Sequence, residues 1–307
     1  MLPLAYVNGH LFVTLADDRL GNLSLMVDTG TERTIIAKSV ARKSELHKAF
    51  WNRTVSLNGY GSDPSRQDLR TVSVALRTEQ TVIFAGSAGV LDLAGFDKKL
   101  GHPTNGILGW DFFQKWCSTL DFGQKRLTLH PLSQCAPPVG TQATLNGEWS
   151  SHGLILNVLI AFPNGRSARA SLGVDTGNDA TLMLNTQFRT PAGLRSDQPN
   201  ASIPDPRGAG TRSVATTGWG INGAYGGDIV PVRRIDFEGG KLYTKDNDGT
   251  TILIGRKGSF PPWHWWDGAD GEARMNHDGS IGNGILEQML WTFDPVAKKV
   301  YIQAYSH

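Results

Sequence analysis

The 307-residue sequence predicts a mostly β protein of two lobes, related by internal duplication and separated by a cleft. Three observations lead there. Short apolar strands alternate with turns throughout a chain that holds 36 glycines, with few stretches of helical period. An Asp-Thr-Gly triplet closes an apolar strand twice, at 28–30 and at 175–177. The same succession of elements surrounds each triplet, the signature of a repeat.

Taken in order, each half opens on a strand, a polar turn and a second strand that runs into the triplet. These are "GHLFVTLADDRLGNLSLMVDTG" and "GLILNVLIAFPNGRSARASLGVDTG". Gly9 lies 19 residues before Asp28 and Gly153 lies 22 before Asp175, so the second hairpin is three residues longer. Apolar exits follow, "TIIAK" and "TLMLN", and in the first half a helix is expected over 38–50. Middle strands are expected in "TVSVALRT" and "QTVIFAG", then in "DIVPVRRIDFE" and "TTILIGR". The closing segments "GILGWDFFQKWCSTLDFGQKRLTL" (106–129) and "GSIGNGILEQMLWTFDPVAKKVYI" (279–302) align without a gap. Gly109 to Asp121 and Gly282 to Asp294 are both 12 residues, and Leu127 and Val300 each lie six beyond the Asp. Short helices are expected in "GWDFFQKWC" and "GNGILEQML", each followed by a hairpin. The Pro/Gly-rich run "SQCAPPVGTQ" (133–142) separates the copies and sets lobes of 1–137 and 138–307.

Composition narrows the function classes. Hydrophobic content of 39% with 19% charged residues is that of a folded soluble protein, and a net charge of +2 without like-charge blocks gives no footprint for nucleic acid. No apolar run is long enough to span a membrane. Cys117 and Cys135 are compatible with one disulfide or with two separate thiols.

One Asp-Thr-Gly arises by chance in roughly one chain in ten of this length, and a strand-ending turn explains a single copy. Neither explains two copies at matched points of a repeat. An Asp at the tip of an apolar strand is partly desolvated, which raises its pKa. A second carboxylate within hydrogen-bonding distance prevents both from ionising together. The ionised member can then take a proton from water while the protonated member donates one to a carbonyl oxygen. Gly permits close backbone approach, and the Thr hydroxyl can bond a main-chain group.

At these residues the chain resembles the pepsin-like and retropepsin-like aspartic proteases, and is similar in spacing to their bacterial members. In that family each lobe or subunit gives one Asp-Thr/Ser-Gly and a supporting apolar-apolar-Gly strand, here Ile107-Leu108-Gly109 and Ser280-Ile281-Gly282. The resemblance covers nearly the whole chain. It implies Asp28 and Asp175 as a catalytic dyad, Thr29 and Thr176 knitting the two loops together, and Gly30, Thr31, Gly177 and Asn178 in support. It also implies a peptide or protein substrate, no metal and no cofactor. Because each half carries its own Asp, a monomer suffices. The chain departs from the pattern where Ser or Ala usually follows the triplet, with Thr31 and Asn178 there, and at Ser280 in the supporting strand.

A cleft of this kind needs a cover. "SLNGYGSDPS" (56–65) and "TTGWGINGAYGGD" (216–228) are candidate flaps, with Tyr60 and Trp219 at their tips, although a glycine-rich surface turn reads the same way. Gly218-x-Gly220-x-x-Gly223 matches a dinucleotide fingerprint formally, but two glycines and a proline follow where a helix would have to start. "DGSIG" (278–282) imitates a nucleophile elbow with Asp278 in place of the first Gly, and its equivalence to "ILGWD" explains it better. "PPWHWWDGADGEARMNHDG" (261–279) has no counterpart in the first half and no recognised metal spacing. If it lines the cleft it narrows substrate choice, which deletion of 263–274 and comparison of cleavage profiles would test.

The reading is therefore an aspartic endopeptidase without a covalent intermediate. Its rivals are a catalytically silent peptide- or carbohydrate-binding protein and a hydrolase of a non-peptide substrate. The first positively charged residue is Arg19, so no basic signal-peptide region is expected within the N-terminal stretch as it stands. Family tendency nonetheless points to a periplasmic or secreted protein, with the cytoplasm as the alternative.

Overall fold

A computed structural model describes residues 1–43, 70–194, 202–203, 211–212, 214–220, 223–239, 249–256 and 277–305. Each half builds the same sheet. In the first, Leu2–Val7 pairs antiparallel with His10–Asp17, which pairs with Gly21–Val27. The strand Gly106–Leu108 then inserts between two strands far from it in sequence, parallel to Gly21–Val27 and antiparallel to Ile35–Ala37. Ile35–Ala37 runs parallel to Val82–Leu91, whose hairpin partner is Arg70–Arg77. All three residues of each inserted strand and of each exit strand are buried, which is why these segments are apolar or glycine except at Ser280.

The second half repeats the path. Leu154–Ala161 pairs with Ser167–Val174, and Gly279–Ile281 lies parallel to the latter and antiparallel to Leu182–Leu184. Thr251–Gly255 runs parallel to Leu182–Leu184, with Gly223–Pro231 beside it. Val214–Gly220 folds back on Gly223–Pro231, and Trp219 stands opposite Ala224 at the end of this hairpin. Tyr60 and residues 261–276 lie outside the described residues, as does the Trp219 side chain. Of the helix expected over 38–50, Lys38–Lys43 is helical and 44–50 lie outside the described residues.

The halves meet in a shared sheet. Cys117–Asp121 and Leu290–Asp294 pair antiparallel at its centre, with Arg126–His130 and Lys299–Gln303 outside them. Leu2–Val7 and Ala143–Asn146 close the two ends. Thr119 stands opposite Thr292, their hydroxyls 2.8 Å apart, on the local two-fold axis relating the copies. Above this sheet Trp110 and Phe113 stack at 6.2 Å, and Trp110 meets Trp149 of the other half at 5.3 Å and Phe293 at 6.4 Å. This aromatic packing, with Trp110, Phe113 and Phe293 fully buried, fixes the lobes against one another and so sets the width between the triplets.

The closing helices are short, Trp110–Phe113 and Asn283–Leu286, as the spacing predicts. The helix Ala94–Leu100 carried no clear period in the sequence. Cys117 and Cys135 form a disulfide that ties the segment between the lobes to the central sheet. Among the described residues no helix is long and apolar enough to cross a membrane.

Candidate active site

Each triplet begins where its strand runs out of ladder. The Asp28 N–H donates to Leu108 O at 3.1 Å and the Asp175 N–H to Ile281 O at 2.9 Å, so each inserted strand carries the first residue of its triplet. The two loops then exchange hydrogen bonds reciprocally. Thr29 Oγ1 donates to Val174 O at 2.8 Å and accepts from the Thr176 N–H at 3.1 Å. Thr176 Oγ1 donates to Val27 O at 2.8 Å and accepts from the Thr29 N–H at 3.0 Å. Both threonines are fully buried, so these four bonds satisfy groups that water cannot reach.

That exchange brings the carboxyl groups face to face, with a hydrogen bond between the Asp28 and Asp175 side chains. The glycines make the approach sterically possible. A Cβ on Gly177 would lie 2.5 Å from Asp28 Cγ, and one on Gly30 would run into the Asp175 carboxyl, with Oδ2 at 2.8 Å. Asp28 and Asp175 are 8% and 7% exposed.

The two carboxyls are held differently. Asp28 Oδ1 accepts from the N–H groups of Gly30 (2.9 Å) and Thr31 (3.0 Å), and Oδ2 accepts from Thr31 Oγ1 at 2.6 Å. Asp175 Oδ1 accepts from the Gly177 N–H at 2.9 Å, but Asn178 gives it no side-chain donor. The Asn178 amide instead donates to Ser280 Oγ at 2.9 Å, and its Oδ1 accepts from the Ala180 N–H at 2.9 Å. Burial holds the Asp175 carboxyl well above the usual range, and the Asp28 charge and the bond between the two add to this; the N–H groups of Gly177 and Asn178 oppose it. Each carboxyl thus bears on the ionisation of the other, and the two do not titrate independently.

The two residues that follow the triplets thus differ in consequence. Thr31 does for Asp28 what a serine would. Asn178 turns away and occupies Ser280, which is buried with its oxygen already engaged, far from a nucleophile's exposed position.

Further supports were not legible in the sequence. Thr34 donates through its N–H and hydroxyl to Asp111 Oδ1 at 2.8 and 2.7 Å, locking the exit from the first triplet to the helix after Gly109. Burial pushes the Asp111 carboxyl upward against these two bonds. In the second lobe a glycine, Gly284, stands at that point, and a Cβ there would meet Thr181 Oγ1 at 2.7 Å. Asn283, 1% exposed, donates from Nδ2 to Thr176 O at 2.9 Å and to Gly9 O at 2.7 Å, reaching from one lobe to the other. An Asp within a short helix and an Asn after a glycine carry no signal by themselves. Cys117, Cys135 and Asp294 bring potential metal-ligand atoms together, but the paired sulfurs offer no thiolate.

Comparison with known proteins adds three findings. Residues 12–112 match the family model described as aspartyl protease. No curated protein matches the sequence. Among solved structures, basic 7S globulin from soybean is similar, with 12% identity over 99% of this chain and 94% of that one, at a TM-score of 0.49.

Proposed function

We propose, from the aspartyl protease domain matched at 12–112 and its repetition in the second lobe, that the whole chain is an aspartic endopeptidase. The observation that carries this reading is the reciprocal pair of loops, which sets two buried carboxyls against each other and leaves Asp175 well above its usual range; in the proposal the pair shares one proton, which rests on Asp175. Asp28 and Asp175 are the catalytic residues of the proposal.

A peptide lying in the cleft places its carbonyl carbon over the dyad, with a water held between the two carboxyls. Asp28 accepts a proton as the water oxygen attacks that carbon, and Asp175 donates its proton to the carbonyl oxygen, giving a neutral tetrahedral diol. Asp28 then gives its proton to the leaving nitrogen as the carbon–nitrogen bond breaks. Asp175 recovers a proton from the diol, and the resting state returns without a covalent intermediate. Thr29 and Thr176 hold the spacing, Gly30 and Gly177 permit it, Thr31 orients Asp28, and Asn178 holds its loop through Ser280. Tyr60 and Trp219 are assigned to the flaps on sequence position. The substrate is a peptide or protein, and the active form is a monomer because one chain supplies both carboxyls. The Cys117–Cys135 disulfide favours an oxidising, periplasmic or secreted setting.

Cleavage of a mixed peptide library from pH 3 to 8, read by mass spectrometry, tests the proposal. Wild type should cut while Asp28→Asn and Asp175→Asn do not. Binding of peptides or sugars without any cutting would show a silent binding protein, and turnover of non-peptide esters or amides alone would show a different hydrolase.

A further inference from the structure

The first hairpin turn reaches across to the other lobe's triplet, and one of its side chains has no role in the reaction above. His10 sets Nδ1 2.8 Å from Asn8 O and Nε2 3.1 Å from Gly177 O. Carbonyl oxygens only accept, so both contacts are hydrogen bonds only when both ring nitrogens carry protons. A neutral ring can make one of them and turns a lone pair toward the other oxygen. Gly177 is also the residue whose Cα lies against the Asp28 carboxyl, so moving its peptide moves the meeting point of the dyad.

We propose that His10 is a positioning residue for the Asp175 loop: its doubly protonated ring clamps the Gly177 peptide to the opposite lobe and sets the dyad spacing. The inference rests on the protease reading for its effect on catalysis, but not for the clamp itself. The same hairpin supports the clamp at two further points. Asn283 Nδ2 donates to Gly9 O, and the Tyr6 hydroxyl donates to Glu287 Oε2 at 2.9 Å. Charged groups of the described residues that face the turn include Glu287, Asp179, whose Cβ would lie 2.8 Å from a Cβ on Gly9, and Asp28 against Gly177. A related contact exists on the other side of the two-fold axis. There His152, from the second lobe's first hairpin turn, places Nδ1 3.1 Å from Glu32 Oε2, just after the first triplet, with Arg33 also 3.4 Å from Glu32. Each triplet loop thus has a histidine of the other lobe beside it, and imidazole is the side chain whose charge ordinarily changes between about pH 5 and 8.

Two measurements on the full chain decide the matter. In peptide cleavage, His10→Phe should lower kcat by about ten-fold, the scale of one charge-assisted hydrogen bond, with KM little changed. His10→Gln can still donate to Gly177 but cannot titrate, so it should recover most of kcat and lose the part of the pH profile that His10 contributes. Wild-type kcat and an unaltered pH profile in His10→Phe would overturn the proposal. Independently of activity, the carbonyl ¹³C signal of Gly177 should move as the His10 ring titrates in the wild type and stay still in His10→Gln. A Gly177 signal indifferent to pH over that range overturns the clamp, whether or not the protein cleaves peptides. A responsive signal in a protein that cuts nothing upholds the clamp and sinks the protease reading alone.

Discussion

Replacing Thr29 by valine isolates the exchange between the loops, because valine keeps the shape and removes only the hydroxyl. The change leaves two buried backbone groups without partners, the Thr176 N–H and Val174 O. Each unsatisfied buried group costs about 1–3 kcal/mol, so Thr29→Val should destabilise the fold by roughly 2–6 kcal/mol in total. Thr176→Val strands the Thr29 N–H and Val27 O and should cost a similar amount. Urea unfolding at fixed pH reads both through the midpoint, with the slope unchanged if native compactness is kept. Activity should fall more than stability requires, since small displacements at a reacting centre are expensive. A midpoint shift equivalent to less than about 0.5 kcal/mol, the ordinary effect of a surface change, would refute the claim that these four bonds hold the dyad together.

Three further outcomes are expected. Asn178→Thr offers Asp175 the hydroxyl that Thr31 gives Asp28, lowering the raised carboxyl, so the alkaline limb of kcat/KM should move to lower pH; no movement would mean that Asn178 does not set the asymmetry. His277 is buried and donates Nδ1–H to Gly279 O, and burial depresses its pKa from 6.5 to about 4. The unfolded chain therefore takes up this proton first, so stability present above pH 6.5 falls by up to about 3 kcal/mol as pH drops through about 4, a loss that urea midpoints in His277→Gln should not show. Cys135→Ser opens a disulfide that spans 18 residues and should cost about 3 kcal/mol on the chain-entropy account, seen as a lower thermal midpoint that added reductant does not change further.

The fold was readable because its determinants are local and occur twice. The triplets, the strands leading into them and the matched glycine-to-aspartate gaps could be compared within one chain, and strand pattern depends on neighbours two residues apart. The site's asymmetry was not readable in this way. Whether the side chain after a triplet turns toward its carboxylate, as Thr31 does, or away, as Asn178 does, depends on Ser280, 102 residues further along. The contacts between lobes are more remote still: Asn283 reaches Gly9 over 274 positions and His10 reaches Gly177 over 167. No period or motif encodes such a meeting. The disulfide belongs to the same class, since only the fold brings Cys135 beside the central strand. The helix Ala94–Leu100 went unread because two lysines and a glycine blur its apolar face.

The central claim is that Asp28 and Asp175 share one proton, held on Asp175. Carboxyl ¹³C signals of aspartate-labelled protein, followed from pH 3 to 8 and assigned with Asp28→Asn and Asp175→Asn, measure this directly. The account predicts that the Asp175 carboxyl stays protonated well above the ordinary aspartate range while Asp28 is ionised, and that Asp28→Asn, by removing the neighbouring charge, lowers the Asp175 midpoint. Two carboxyls that titrate independently near the ordinary value of about 3.9 would contradict it.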